Sequence, residues 1–251
     1  MAKAESFIIY RGPSLIDGEP IVAIAQVSSR NAKTGSMVQT FIMRADMDPI
    51  TANRTGADHA ICGTCPHRGK AHDGDKGTAK DRTCYVTLAH GPLQKWKGLQ
   101  RGLYPDAVGH EAIKAIGAGR MVRIGTYGDG AAVPSYIWES LIEDAKGWTA
   151  YTHQNGVASA DTSAKLYMTS AESKGQAAEA WMRGERTFRV IADVADMDKK
   201  REFLCPASEE MGKRVQCDKC GLCAGNSVKA KSVAIVAHGG AKRKAKELVA
   251  A

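Results

Sequence analysis

Short apolar runs separated by polar, glycine-rich text dominate this chain. Phe7-Ile-Ile-Tyr10, Ile21-Val-Ala-Ile-Ala-Gln-Val27 and Met37-Val-Gln-Thr-Phe-Ile-Met43 have strand composition. The text from Ser28 to Gly35 supplies Asn and Gly for a turn between the last two. From His59 the rhythm changes, and apolar runs alternate with helix-like segments. The runs are His59-Ala-Ile-Cys62, Cys84-Tyr-Val-Thr-Leu88, Met121-Val-Arg-Ile124, Trp148-Thr-Ala-Tyr-Thr152, Lys165-Leu-Tyr-Met-Thr169, Thr187-Phe-Arg-Val-Ile191 and Ser232-Val-Ala-Ile-Val236. Helical spacing of Ala112, Ile113 and Ile116 predicts a helix over 108–117. Pro134 opens another, with Tyr136, Ile137, Leu141 and Ile142 facing inward and Gly147 as its stop. A third runs from Ser170 through Trp181 and Met182, and a basic one covers 241–250.

Alternation of this kind calls for a parallel sheet with crossover helices. With residues 37–43 as the eighth strand, the expectation is an α/β fold built as a (β/α)8-type, TIM-like barrel, complete or irregular. Residues 1–56 form a β-rich N-terminal extension packed on it, 57–251 the barrel core, and 205–223 a metal-binding loop. An open doubly wound sheet is the alternative. No Gly-x-Gly-x-x-Gly fingerprint or Walker loop is present, so a Rossmann or P-loop nucleotide site has no local support.

With 43% hydrophobic residues in 251, there is ample material for a core, which excludes a disordered chain. No apolar run reaches the roughly 18 residues of a membrane span, and the first residues lack a secretory signal, so a cytoplasmic protein is expected. Thiols stay reduced in that compartment. The formal charge of +8 favours a polyanionic partner, because each neutralised phosphate releases counterions. Lys95/Lys97/Arg101, Lys199-Lys200-Arg201, Lys213-Arg214, Lys229/Lys231 and Lys242-Arg243-Lys244 are the basic clusters. Five clusters beside the cysteine-rich regions point to nucleic acid, although a solvated surface explains any one of them.

All 7 cysteines fall into two groups with ligand-like spacing. Cys205 precedes Cys217-Asp-Lys-Cys220-Gly-Leu-Cys223, and four thiolates suit a structural tetrahedral zinc, or a Cys3His zinc site using His238. A Cys-x-x-Cys-x-x-Cys run equally suits a [4Fe–4S] cluster. Cys62, Cys65 and Cys84 form the second group, with His67 or His72 as a fourth ligand. Three thiolates on a cluster leave one iron open to substrate, so this set is the more reactive. Arg68 beside it reads either as a phosphate binder or as a surface residue.

Functional side chains of a parallel barrel collect at the carboxyl ends of its strands. Those ends carry Cys62/Cys65, His90, Asp129, His153, Asp193 and His238. Asp129, between two glycines, is either turn chemistry or a presented nucleophile. His90 and His238 share the text Ala-His-Gly, which favours acid–base or ligand work.

The barrel rhythm, strand-end Asp129 and a late Cys-x-x-Cys-x-x-Cys followed by His238 resemble the tRNA-guanine transglycosylases and their DNA-acting phage relatives, mainly over residues 121–240. That resemblance implies a zinc held by Cys217, Cys220, Cys223 and His238 bracing a (β/α)8 barrel. It implies Asp129 as the nucleophile at the nucleoside C1′, exchanging guanine for a 7-deazaguanine base, with DNA favoured over RNA. Asp193 or a histidine, His90 or His153, would move protons. Cys205 is extra to that pattern, and Cys62, Cys65 and Cys84 have no counterpart in it. These early cysteines look instead like those of radical-SAM enzymes, without their Cys-x3-Cys-x2-Cys motif. The text is also similar to uncharacterised phage and plasmid proteins. The expected activity is therefore a zinc-containing glycosyltransferase acting on DNA. An iron–sulfur enzyme and a zinc-stabilised, non-catalytic nucleic-acid-binding phage protein are the alternatives.

Overall fold

The computed structural model describes residues 5–28, 33–212, 215–227 and 229–250. Its first three strands are β1 (Ser6–Pro13), β2 (Pro20–Gln26) and β3 (Val38–Arg44), an antiparallel meander. The segment leading to the next strand is helical: α1 (Pro49–Thr55), α2 (His59–Cys62), α3 (Gly91–Gln100) and α4 (His110–Gly117). Asp48 caps α1 by accepting the Ile50 and Thr51 N–H groups, and Pro49 fits the first turn where no N–H is needed. Then come β4 (Met121–Tyr127), α5 (Ser135–Ile142), β5 (Gly147–Thr149) and β6 (Tyr151–Thr152). They are followed by α6 (Asn155–Ala160), β7 (Met168–Ala171), α7 (Lys174–Met182), β8 (Thr187–Ile191) and β9 (Glu202–Leu204). The chain ends with the single-turn α8 (Cys217–Cys220), β10 (Ser232–Val236) and α9 (Lys242–Ala250).

These strands make two five-stranded sheets, ordered β1-β2-β3-β4-β5 and β6-β7-β8-β10-β9. Only Ala150 separates β5 from β6. Its N–H donates to the Cys223 carbonyl at 3.1 Å while its own carbonyl accepts from Met168 at 3.0 Å. One extended segment thus serves β4 with its first half and β7 with its second. From β3 through β10 every pairing is parallel, and the carboxyl ends of β4, β6, β7, β8 and β10 lie toward one side.

The α/β class and the parallel, crossover-linked run are as the alternation predicts. No closed barrel is detected among the described strands. β10 inserts between β8 and β9, so the strands leave chain order, and no ladder among the described residues returns β9 to β1. Two expected strands are also corrected. His59–Cys62 is helix α2, and 84–88 carries no strand because its carbonyls face inward to the Arg82 guanidinium, at Cys84 O and Val86 O. In α5, Ile137 and Leu141 are buried as expected, Trp138 is fully buried as well and donates to Gly130 O, whereas Tyr136 is 60% exposed.

The main core packs β1–β4 against α2, α4 and α5, with Ile24, Ile42, Ile61, Ile124 and Leu141 inside. Around β10 a buried ion pair holds the strand insertion together. Arg189 of β8 reaches across β10, where its in-register neighbour is the small Ala234, to clasp Glu202 of β9 at 2.8 and 2.6 Å. Both side chains are almost completely buried, and Glu202 also accepts from Asp198 N. Removing one partner of such a pair strands the other charge, at a cost of about 3–5 kcal/mol. We expect that loss on urea denaturation of Arg189→Ala. The Arg189→Met/Glu202→Leu double variant, which buries no charge, should recover most of it.

Candidate metal centre

The carboxyl ends of the parallel strands open on a cavity of about 500 Å3, and all seven cysteines line it. That volume lies within the range of small-molecule sites. His90, Asp129, His153 and His238 line it too, as does Arg123. Asp193 does not. It is exposed just past the carboxyl end of β8 and caps a turn by accepting the Ala195 N–H at 2.9 Å.

The first cysteine set is built on two polar knots. Cys62 ends α2, and the chain reverses at Gly63 with φ 49°, where any Cβ would collide with the Gln154 amide. Arg68 gathers this loop around its guanidinium, donating to the Gly56 and Gly63 carbonyls at 2.8 Å each and to the Asp58 carboxylate. Its donors are spent inside the protein, so the phosphate reading of Arg68 gives way to a bracing role. Cys84 is brought alongside through its N–H to His67 O at 3.0 Å. Burial pushes the Cys62 thiol well up, with Asp58 adding to it, and burial raises Cys84 as well.

Asp129 is the second knot. Gly128, at φ 82°, turns the chain off β4 so tightly that a Cβ would meet Ile42. Asp129 then donates its N–H to Ile61 O of α2, at 2.6 Å. Its Oδ1 accepts from Ala131 N at 3.0 Å, and its Oδ2 from His153 N at 2.9 Å. Burial raises its pKa, and the His153 N–H bond works against that. Both carboxylate oxygens are therefore engaged, one in the turn after β4 and one at the end of β6, while the backbone N–H holds α2.

The second set sits where the two sheets meet. Cys205 follows β9 and donates its N–H to Ala234 O at 2.8 Å. Cys217 N donates to Lys33 O at 3.0 Å, and Asp218 anchors α8 by accepting from Ser36 N and Oγ. On its other side the loop is held by buried Arg186, whose guanidinium donates to the Leu222, Gly225, Ala230 and Lys231 carbonyls at 2.8–2.9 Å. The Cys223 thiol feels Cys205, Cys217 and Cys220, so the four form one group; burial pushes it up to about 12. Cys205 and Cys217 are raised for the same reason. Buried thiols of this kind favour a compensating cation when they ionise.

His238 stands beside this group with its ring engaged. Its Nε2 lies 3.1 Å from Lys33 Nζ, its Nδ1 3.2 Å from Val236 O, and its ring stacks on Tyr85. As placed, it serves Lys33 rather than completing a Cys3His set. His72, the other proposed ligand, is half-buried and bonds Thr78 O, and it does not line the cavity. Among the described residues, the ligand atoms that all lie within 4.8 Å of one another belong to His67, His153 and Glu172.

Known protein families, curated proteins and solved structures offer no match to this chain. The functional reading therefore rests on the site itself.

Of the basic residues, Lys97 is exposed on α3 and Arg101 is exposed just past its end. Lys95 turns inward to Ser6 and lies over Phe41 and Tyr104, so it is spent on packing. Lys242, Arg243 and Lys244 are exposed on α9, whose Ala245 lines the cavity. Lys213 and Arg214 lie outside the described residues. No helix among the described residues is long and apolar enough to cross a membrane.

Glu172 is the site residue that sequence reasoning misses. It follows β7 directly, but the apolar run predicts a strand ending at Thr169 rather than Ala171, which leaves Glu172 inside the helix.

If Asp129 is a brace, Asp129→Asn should destabilise the protein. An amide has one acceptor oxygen, so its NH2 must face one of the two backbone N–H groups. We expect a loss of about 1–3 kcal/mol in urea denaturation. An unchanged stability would free the carboxylate for chemistry.

Proposed function

We propose that this chain is an iron–sulfur enzyme whose reactive centre is held by Cys62, Cys65 and Cys84. Cys205, Cys217, Cys220 and Cys223 hold a second, all-cysteine cluster. The observation that carries this reading is the convergence of all seven cysteines, in two groups, on one cavity. A cluster with three protein thiolates keeps one coordination position for substrate or cosubstrate and supplies one-electron chemistry. The chain's own residues shape the rest. Phe41, Tyr85 and Phe188 give the cavity flat apolar walls, and Arg123, fixed by the Tyr85 hydroxyl at 2.7 Å, supplies a buried cation. His153, paired with Glu172 at 2.6 Å, stands at the end of β6. Burial opposes its charge, but Cys65 and Glu172 hold its pKa well above the usual histidine value.

Nucleic acid is the substrate class this reading assigns. The exposed cations of α9 border the mouth, as a polyanion's approach requires, and the cavity volume admits a single extruded base. The parallel strands present their carboxyl ends to the site as those of a (β/α)8 barrel do. Base exchange with a 7-deazaguanine is the second reading, favoured by the buried, raised carboxyl of Asp129 on the cavity wall. It requires guanine exchange into DNA that Asp129→Asn abolishes under conditions where the variant is folded.

Metal analysis of anaerobically purified protein decides between the centres. We expect iron and acid-labile sulfide with visible absorption, and about half of that iron lost in Cys62→Ser/Cys65→Ser/Cys84→Ser. A colourless zinc protein would overturn the proposal and favour the transglycosylase or the zinc-stabilised binding protein. For the nucleic-acid partner, Lys242→Ala/Arg243→Ala should weaken DNA binding uniformly across sequences. The slope of log affinity against log salt should become shallower by about 1 per side chain removed. An unchanged slope would place the DNA elsewhere.

A further inference from the structure

His67, His153 and Glu172 reach one point from three separated stretches of chain. His67 lies in the turn Pro66–Arg68, His153 follows β6, and Glu172 follows β7. Glu172 Oε1 is 2.6 Å from His153 Nε2 and 3.5 Å from His67 Nε2. Ligands at right angles on bonds of about 2.1 Å stand roughly 3 Å apart. The two observed separations straddle that value.

An ion pair between His153 and Glu172 explains two of these residues but not the third. His67 Nε2 is buried and completes no hydrogen bond. Its ring is nonetheless held in position, because Nδ1 lies 2.8 Å from the Thr83 hydroxyl. A histidine fixed through one nitrogen, with the other turned into a polar cluster, has the arrangement of a metal-ligating imidazole and its orienting partner. All three residues face the cavity, so an ion among them would keep positions open to whatever enters.

We infer that His67, His153 and Glu172 form a binding site for one divalent transition-metal ion, separate from the two cysteine sets and opening on the same cavity. Two imidazoles, one carboxylate and open positions suit Fe(II) or Mn(II). The site is distinct from the thiolate centres in its donors. It does not require them to hold iron, so it stands or falls apart from the proposed function.

Mn(II), a hard ion that thiolates bind poorly, is the probe. Purified full-length protein, dialysed against chelator, is titrated anaerobically with Mn(II) while the free ion is counted by its EPR signal. We expect one bound Mn(II) per chain in the wild type and in Cys62→Ser/Cys65→Ser/Cys84→Ser, and none in His67→Ala or Glu172→Gln. Thr83→Val, which removes only the orienting hydroxyl, should weaken binding by about 10–100-fold. Circular dichroism confirms that each variant is folded. Should His67→Ala fail that check, the isosteric Glu172→Gln carries the test. The inference is overturned if folded wild type binds no Mn(II), or if His67→Ala and Glu172→Gln bind it as wild type does. Loss of binding in the cysteine variant would also overturn it, because the ion would then share the thiols. Iron and sulfide are assayed on the same samples, so failure here is distinguishable from failure of the iron–sulfur reading.

Discussion

A carboxylate accepts hydrogen bonds from two directions at once, and the site depends on Asp129 doing so. Its oxygens join the start of the turn after β4 to the end of β6, and its own N–H joins both to α2. Through these three bonds Cys62, at the end of α2, and His153, just past β6, take fixed positions relative to each other. Arg68 performs the matching task for the loop between them, replacing a hydrophobic core in a stretch that has few apolar side chains. Charged groups placed this way define geometry at a cost in desolvation, which is tolerable because nearly every donor and acceptor is met.

The second cysteine set solves the same problem with different means. Its loop lies between β9 and β10, and short helix α8 has no core of its own. Arg186 ties four of the loop's carbonyls, while the Ala150 N–H, between β5 and β6, donates to the Cys223 carbonyl. The loop is therefore fastened where the two sheets separate, and any shift of one sheet against the other would be felt by the thiols. That makes the set more than a local clamp, because it lines the same cavity as the first set.

Several elements are legible in the sequence because a single physical effect, the burial of apolar side chains, decides their conformation. The strands at 121–127, 187–191 and 232–236 are of this kind, apolar runs bounded by glycine or charge. The segments 59–62 and 84–88 are apolar text too, but polar partners far along the chain or outside the run set their conformation: Asp129 for the first, Arg82 for the second. The strand order is illegible for a related reason. Periodicity along the chain carries no information about which strand β10 joins, and the Arg189–Glu202 pair that spans it links residues whose charges look ordinary in the sequence. The cysteine spacing reveals the ligand sets. It cannot reveal that both face one cavity, which follows from the parallel strands.

Asp129 and His153 illustrate how a strand-end location misleads about role. Both look catalytic in the sequence because carboxyl ends of parallel strands carry function, and both do line the cavity. Yet the backbone of His153 donates to Asp129, so one of the pair supports the other instead of acting beside it. With Asp129's oxygens occupied, the carboxylate turned toward chemistry is Glu172, whose partners are both imidazoles. The site thus divides its two carboxylates by hydrogen bonding. The one that meets backbone N–H groups keeps the architecture, and the one that meets only titratable or metal-ligating side chains is available to the cavity.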